Sequence, residues 1–247
     1  MIGSKFIYSL NQPGGRQQNQ DTLYPSNEDV SDSSRVFLVC DGVGGGNKGE
    51  VASSIVCKEF GETFEGIESA EQVDSLVEKS FERYKEKFGA YLNIFPEGNG
   101  MSTTLTMACI LSDSIIFIWC GDSRLYHVRD GEILFRTKDH SLVSNLVASG
   151  EITEEEAEEH PQKNVIMRAV SSDTAIDDID THIITDIQDE DYILLCSDGL
   201  LECFNDKTIS DLLTNENSML KFDEVMEEVC HDKTADNYTM YLLGLST

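Results

Sequence analysis

The sequence is short of basic residues and has no long apolar run, and each shortage removes a class of protein. Only 18 Lys and Arg stand against 46 Asp and Glu in 247 residues, a formal net charge of −28. A broad cationic face for nucleic acid or anionic lipid is therefore not expected. The longest apolar stretches, such as residues 115–120, fall far below the ~20 residues of a membrane span. Residues 1–10 lack a charged start followed by an apolar stretch, so no secretory leader is expected. The seven cysteines are odd in number and form no CxxC pair, which argues against a disulfide framework and a thiolate zinc site and for a reduced, cytoplasmic protein.

Several catalytic signatures are missing as well. There is no GK[ST] phosphate loop and no HExxH helix, and no cysteine has an arginine six positions on, as a cysteine-dependent phosphatase requires. No internal repeat, low-complexity tract or flexible linker divides the chain. With 40% hydrophobic residues it can fill one sizeable core, and a single domain over residues 1–247 is expected.

What is present reads as alternating blocks of strands and helices. Apolar runs rich in β-branched and aromatic residues, bounded by turn formers, predict strands at 6–10, 36–40, 103–111, 114–120 and 192–196, several of them buried on both faces. In 124–136 (RLYHVRDGEILFR) the dipeptide Asp130-Gly131 suits a tight hairpin turn, so the chain makes antiparallel pairs. Helical spacing predicts helices at 50–64 and 71–92, where Val73, Leu76, Val77, Ser80, Phe81 and Tyr84 share a stripe. A second helix pair is expected at 207–214 and 222–231, then a last strand at 238–243. This order implies α+β with sheets inside and helices outside. Between the blocks lies an acidic segment, 141–172, containing EITEEEAEEH. It is read as short helices outside the sheets, either a solvated face or a flap over a site.

Four aspartates stand where a strand ends or turns: Asp41 before Gly42, Asp122 before Ser123, Asp198 before Gly199 and Asp236 before Asn237. Any one of them alone reads as an ordinary turn. As a set they are positioned to present carboxylates from strand ends whose buried backbone holds them still. Oxygen donors without a cysteine or histidine pattern favour Mg²⁺ or Mn²⁺ over zinc. Residues 42–49 also satisfy GxGxxG through Gly44, Gly46 and Gly49. A dinucleotide site needs the following helix to lead directly to a parallel strand, whereas here a second long helix comes first.

The same motifs, taken in order, resemble the metal-dependent serine/threonine protein phosphatases, the PPM or type 2C family, and its compact bacterial members in particular. The succession runs from RQQNQD (16–21) through DGVGG (41–45), GEVAS (49–53), STT (102–104) and GDSR (121–124) to TKDHSL (137–142), SDGL (197–200) and Asp236-Asn237. The resemblance implies a four-layer αββα sandwich, two mainly antiparallel sheets flanked by helix pairs, with the metal centre at one end and 141–172 as the flap. It implies two Mn²⁺ or Mg²⁺ ions and a third, weaker one. Asp41 would bridge two ions and the Gly42 carbonyl would ligate one of them. Asp198 and Asp236 would complete the other, and Asp122 with Asp198 would hold the third. Arg16 would bind substrate phosphate as a bidentate fork. Asp21 and Asn237 would support the ions through water or neighbouring ligands.

The implied reaction is hydrolysis of phosphoserine and phosphothreonine on proteins, by a hydroxide shared between the ions attacking phosphorus in line without a covalent enzyme intermediate. The implied partners are phosphoproteins of a bacterial Ser/Thr kinase, met by a monomer with no nucleic acid or membrane involved. The sequence departs from many eukaryotic relatives at Gln20, where they carry an acid, and at Val43, where they carry a histidine. A carboxylate ligand and a general acid are thus both replaced, and water is expected to fill both roles. Ser171 stands where family members often have glycine. The alternatives are an inactive phosphatase-like docking module and a hydrolase of another phosphoester such as a small metabolite.

Overall fold

Apolar side chains that run without interruption along a strand can be satisfied only if both faces of the sheet are covered. The computed structural model, which describes residues 2–43, 48–214, 222–230 and 233–247, solves this with two stacked five-stranded sheets and helices on their outer faces. One sheet has the order β1 (Gly3–Gln12), β10 (Tyr238–Ser246), β9 (Tyr192–Cys196), β6 (Arg124–Arg129) and β7 (Glu132–Arg136). The other has β2 (Thr22–Tyr24), β3 (Val36–Cys40), β4 (Leu105–Ile110), β5 (Ile115–Cys120) and β8 (Asp180–Ile184). All neighbouring strands pair antiparallel.

The period of two along each strand sorts side chains into three cores. Val36, Leu38 and Cys40 of β3 pack with Phe60 of α1 (Gly49–Phe64) and Tyr84 of α2 (Val73–Ile94). Phe37 and Val39 face Ile193, Leu195, Tyr241 and Leu243 of the opposite sheet. On the far side Leu194, Cys196, Met240 and Leu242 pack against α5 (Asp198–Leu201), α6 (Asp206–Leu212) and α7 (Phe222–Cys230) through Leu200, Ile209 and Met226. The layers are therefore α, β, β, α, as the resemblance implies.

The expected elements are found with shifted ends. Strand 36–40 and strand 192–196 match to the residue, while 103–111 contracts to β4 because Thr103 and Thr104 turn their bonds toward Asp41 and Val170. The hairpin turn is confirmed by positive φ at both Asp130 (50°) and Gly131 (78°). Strands β2 and β8 are not predicted from the sequence. Both lie at sheet edges, one is three residues long and the other carries Asp180, Thr181 and His182, so neither has the apolar pattern of a covered strand. The helix predicted at 222–231 is found as α7; His231 lies outside the described residues, as do Gly44, Gly45 and Gly46. Since β3 and β4 pair antiparallel across α1 and α2, the βαβ unit of a dinucleotide site is absent here. Residues 141–172 sit outside the sheets with two short helices, α3 (Leu142–Ser149) and α4 (Glu154–Glu158), capped by Ser141 and Thr153. Among the described residues no helix is long and apolar enough to cross a membrane.

Candidate metal centre

Sheet pairing brings the sequence-distant aspartates to one end of the sandwich. Antiparallel registers set the C-terminal ends of β3 and β5 side by side with the start of β4, as Val39 pairs with Thr106 and Cys120 with Leu105. Asp41 and Asp122 follow those ends. In the other sheet Cys196 pairs with Met240 and Tyr238 with Gln12, so Asp198, Asp236 and the 13–21 loop emerge together. Two details differ from the sequence reading: Asp236 precedes its strand, and Asp198 opens α5.

Each ligand candidate is held from behind. Thr104 donates its backbone N–H to the Asp41 carbonyl at 2.8 Å and accepts the Asp41 N–H on Oγ1 at 2.9 Å, and Thr103 Oγ1 donates to the same carbonyl at 2.7 Å. That is what the STT motif does. Gly121 N–H donates to His140 Nδ1 at 3.1 Å, which leaves His140 Nε2 to donate to Asp180 at 2.8 Å. This histidine, like His127 paired with Asp191, is structural. Asn237 staples the 13–21 loop: its Oδ1 accepts from Gln20 N–H at 2.9 Å and its Nδ2 donates to the carbonyls of Pro13 and Gln18. Ser197 Oγ donates to Asp21 at 2.8 Å.

The carboxylates repel one another. Asp41 and Asp198 remain half-buried as residues although protein atoms crowd their carboxyls, which come within hydrogen-bonding reach of each other across the two sheets. Desolvation, then the charges of Asp21, Asp198 and Asp122, hold the Asp41 carboxyl well above the usual range. Desolvation also raises Asp198, against the hydrogen bond from Asp41. Burial followed by the charges of Asp198 and Asp139 pushes Asp122 up to about 7. Burial pushes Asp21 up to about 6 despite hydrogen bonds from Thr239 and Ser197. One oxygen of Asp122 and one of Asp21 are buried without any hydrogen-bond partner. Buried oxygens left unpaired and carboxyls raised by their neighbours are the marks of a site lacking positive charge.

Hard divalent cations fit that deficit. Among the described residues no three His, Cys, Asp or Glu side chains close around a point as a ready-made cage. The donor set instead suits ions such as Mg²⁺ that take one or two carboxylates and keep several waters. Arg16 lies on the rim, 54% exposed, and its guanidinium donates to both oxygens of Asp236 at 2.9 and 2.6 Å. Asp236, 34% exposed, is more solvated than the buried Asp122. Val43 donates its N–H to the Ser102 carbonyl and offers no proton donor in its side chain.

Two acids that the sequence reading passed over also reach this end. Glu202 accepts the Ala235 N–H at 2.6 Å, tying α5 to the loop that carries Asp236. Its signal was the i, i+4 spacing from Asp198. Glu50, in the first turn of α1, accepts from the Gln20 side-chain amide at 3.2 Å. Burial alone would raise its carboxyl, but its own backbone N–H, the Gln20 amide and Lys48 bring it below the ordinary value.

The close approach of α5 to β10 requires Gly199, since a Cβ there would meet the Asn237 carbonyl oxygen at 1.9 Å. Gly199→Ala is expected to cost about 1–3 kcal/mol, the usual range for overpacking, and to weaken metal binding by parting Asp198 from Asp236. Urea unfolding and Mn²⁺ titration of the variant check both effects.

The family and the fold are shared with known proteins. The chain matches the family profile described as Protein phosphatase 2C over residues 15–240. It is 31% identical to the protein phosphatase PhpP of Streptococcus pneumoniae over 244 residues, covering 94% of this chain and 93% of that one. It superposes on the crystal structure of the Mycobacterium tuberculosis serine/threonine phosphatase PstP/Ppp with a TM-score of 0.84 at 29% identity, covering 98% and 99% of the two chains. The catalytic domain of the serine threonine protein phosphatase PstP, solved in complex with two manganese ions, matches with a TM-score of 0.81 at 26% identity over the full length of both chains.

Proposed function

The chain belongs to the protein phosphatase 2C family, and from that premise we propose that it hydrolyses phosphoserine and phosphothreonine on proteins with two divalent cations, Mn²⁺ or Mg²⁺, bound at the end of the sandwich. The observation that carries this is the convergence of Asp41, Asp122, Asp198 and Asp236 on one end of the sandwich, where one buried oxygen of Asp122 has no hydrogen-bond partner. Asp41 would be shared between the ions and the Gly42 carbonyl would face one of them. Asp198 and Asp236 would hold the other, and Asp122 with Asp198 a third, weaker one. When bound, such ions acidify water for in-line attack on phosphorus and offset charge as the ester oxygen leaves, so no covalent enzyme intermediate is needed.

The protein's own groups do the rest. Asp21, Thr104 and Asn237 hold the ligands and the 13–21 loop in place. Arg16 swings between Asp236 and a phosphate, two acceptors of the same bidentate geometry. With Val43 where a proton donor could stand, water protonates the leaving group, which disfavours alkyl over aryl esters. We read residues 1–247 as one phosphatase domain with 141–172 as its flap, a monomer working in the cytoplasm against a bacterial Ser/Thr kinase. Seven unpaired thiols support the reducing compartment.

The test is release of phosphate from a phosphothreonine peptide with Mn²⁺ and with EDTA. Turnover that persists under chelation sinks the metal reading. Cleavage of an aryl phosphate without any of the phosphopeptide would point to a small phosphoester instead. Arg16→Lys is expected to raise KM for the peptide about 10-fold with a smaller change in kcat, because an ammonium cannot reproduce the fork. Steady-state kinetics on both substrates read this out.

A further inference from the structure

An ion held beside the Gly42 carbonyl would be short of negative charge. Its one carboxylate, Asp41, would be shared with a second ion, and a peptide carbonyl is neutral. Charge nearby must then come from the wall behind Gly42, since groups surrounding the direct ligands tune affinity strongly. That wall is built by Gln20 and the start of α1. Gly42 donates its N–H to the Gln20 carbonyl at 3.1 Å, and Ser53 Oγ donates to the same carbonyl. The backbone of Gly49 lies against Gly42 so closely that a Cβ on Gly49 would be 3.0 Å from both the Gly42 oxygen and the Gln20 amide nitrogen. That amide donates to Glu50 Oε2 at 3.2 Å, and the exposed Lys48 ammonium lies 3.7 Å from Oε1, a weak surface pair.

On these contacts we propose that Glu50 is a positioning residue for the metal centre, supplying through Gln20 and by its own charge the anion missing beside the Gly42 carbonyl. The proposal rests on the reading above that an ion sits between Asp41 and Gly42. The Gln20 side chain is thereby joined to a carboxylate on the first turn of α1. A purely structural role, an acid favouring a helix N-terminus, would not need the Gln20 bond.

The two roles separate in Mn²⁺ titration calorimetry on metal-free protein, read beside the metal-free Tm. Glu50→Gln keeps size and hydrogen bonding but removes the charge. It is expected to weaken one Mn²⁺ site about 10-fold or more while shifting the metal-free Tm by less than roughly 2 °C. The exchange Gln20→Glu with Glu50→Gln returns the charge to the same pair and is expected to recover most of the affinity. A Glu50→Gln protein that binds Mn²⁺ like the wild type, or that loses only Tm, overturns the proposal. So does an exchanged protein that folds yet binds no more tightly than Glu50→Gln; should Glu50→Gln not fold, the exchange against wild type gives the answer. Asp41→Asn keeps the two levels apart. If it leaves both ions bound at full affinity, the metal-centre reading fails and the proposal with it. If it loses an ion while Glu50→Gln loses none, only the role of Glu50 is wrong.

Discussion

Asp41→Asn is expected to lower kcat at least about 10³-fold and to abolish binding of one or both Mn²⁺ ions, yet to leave the metal-free protein more stable than the wild type. The first effect follows from the place of Asp41. It follows β3, its backbone is held on both sides by Thr103 and Thr104, and it faces Asp198 of the other sheet. Loss of one preorganised electrostatic partner in an active site costs about 10²–10³, and a ligand shared by two ions removes more than one partner. The second effect has the opposite sign because the wild-type carboxyl is desolvated and repelled by Asp21, Asp198 and Asp122. An amide of the same shape keeps a hydrogen bond to Asp198 and drops the repulsion, so the metal-free Tm should rise by roughly 2–4 °C, the shift that ~1 kcal/mol produces in a chain of this size. Calorimetry with and without Mn²⁺, beside peptide kinetics, tests both halves. A variant with wild-type turnover, or one whose metal-free Tm falls, contradicts this account of the site.

Without metal, stability should fall as pH rises from about 5 to about 7, the reverse of ordinary acid denaturation. The carboxyls of Asp21 and Asp122 titrate at about 6 and about 7 in the folded protein against about 3.9 in the unfolded chain. Between those limits the folded state binds more protons, so each rise in pH removes stability until the folded pKa is passed. Asp41 and Asp198 are raised as well and act in the same direction. His140 and His182, lowered chiefly by burial, oppose this by gaining stability as pH climbs toward about 6.5. Carboxyls lowered by their own partners, such as Glu50, Asp186, Asp189 and Asp191, gain their stability below about pH 5; above that the four raised carboxyls outweigh two imidazoles, and the formal charge of −28 adds self-repulsion as pH climbs. Comparison with Asp122→Asn isolates one group: the difference in Tm between the two proteins should open between pH 4 and 7 and close in saturating Mn²⁺. A difference independent of pH would show that Asp122 is not repelled as the geometry requires.

Much of this protein is written in local pattern. The runs at 36–40 and 192–196 are strands because each is a short apolar run bounded by turn formers, which a sheet covered on both faces buries whole. Asp130-Gly131 makes the hairpin because both positions tolerate positive φ. The stripe of Val73, Val77, Phe81 and Tyr84 makes α2 amphipathic by its spacing alone. The order of short motifs likewise sufficed to pick out Asp41, Asp122, Asp198 and Asp236 as a set.

The tertiary structure decided which of these groups meet. Strands β2 and β8 exist only because a neighbouring strand offers them hydrogen bonds; their own side chains carry no period to announce it. Glu50 and Glu202 read as surface acids until α1 and α5 pack against the strand ends and turn them toward Gln20 and Ala235. The aspartates are dispersed over almost 200 residues, and nothing in the spacing of one encodes its distance from another. Their types and order belong to the sequence; their mutual repulsion, and hence their need for cations, belongs to the stacking of two sheets that gathers Asp41 and Asp198 at one end, because proximity across sheets is fixed by packing and not by local periodicity.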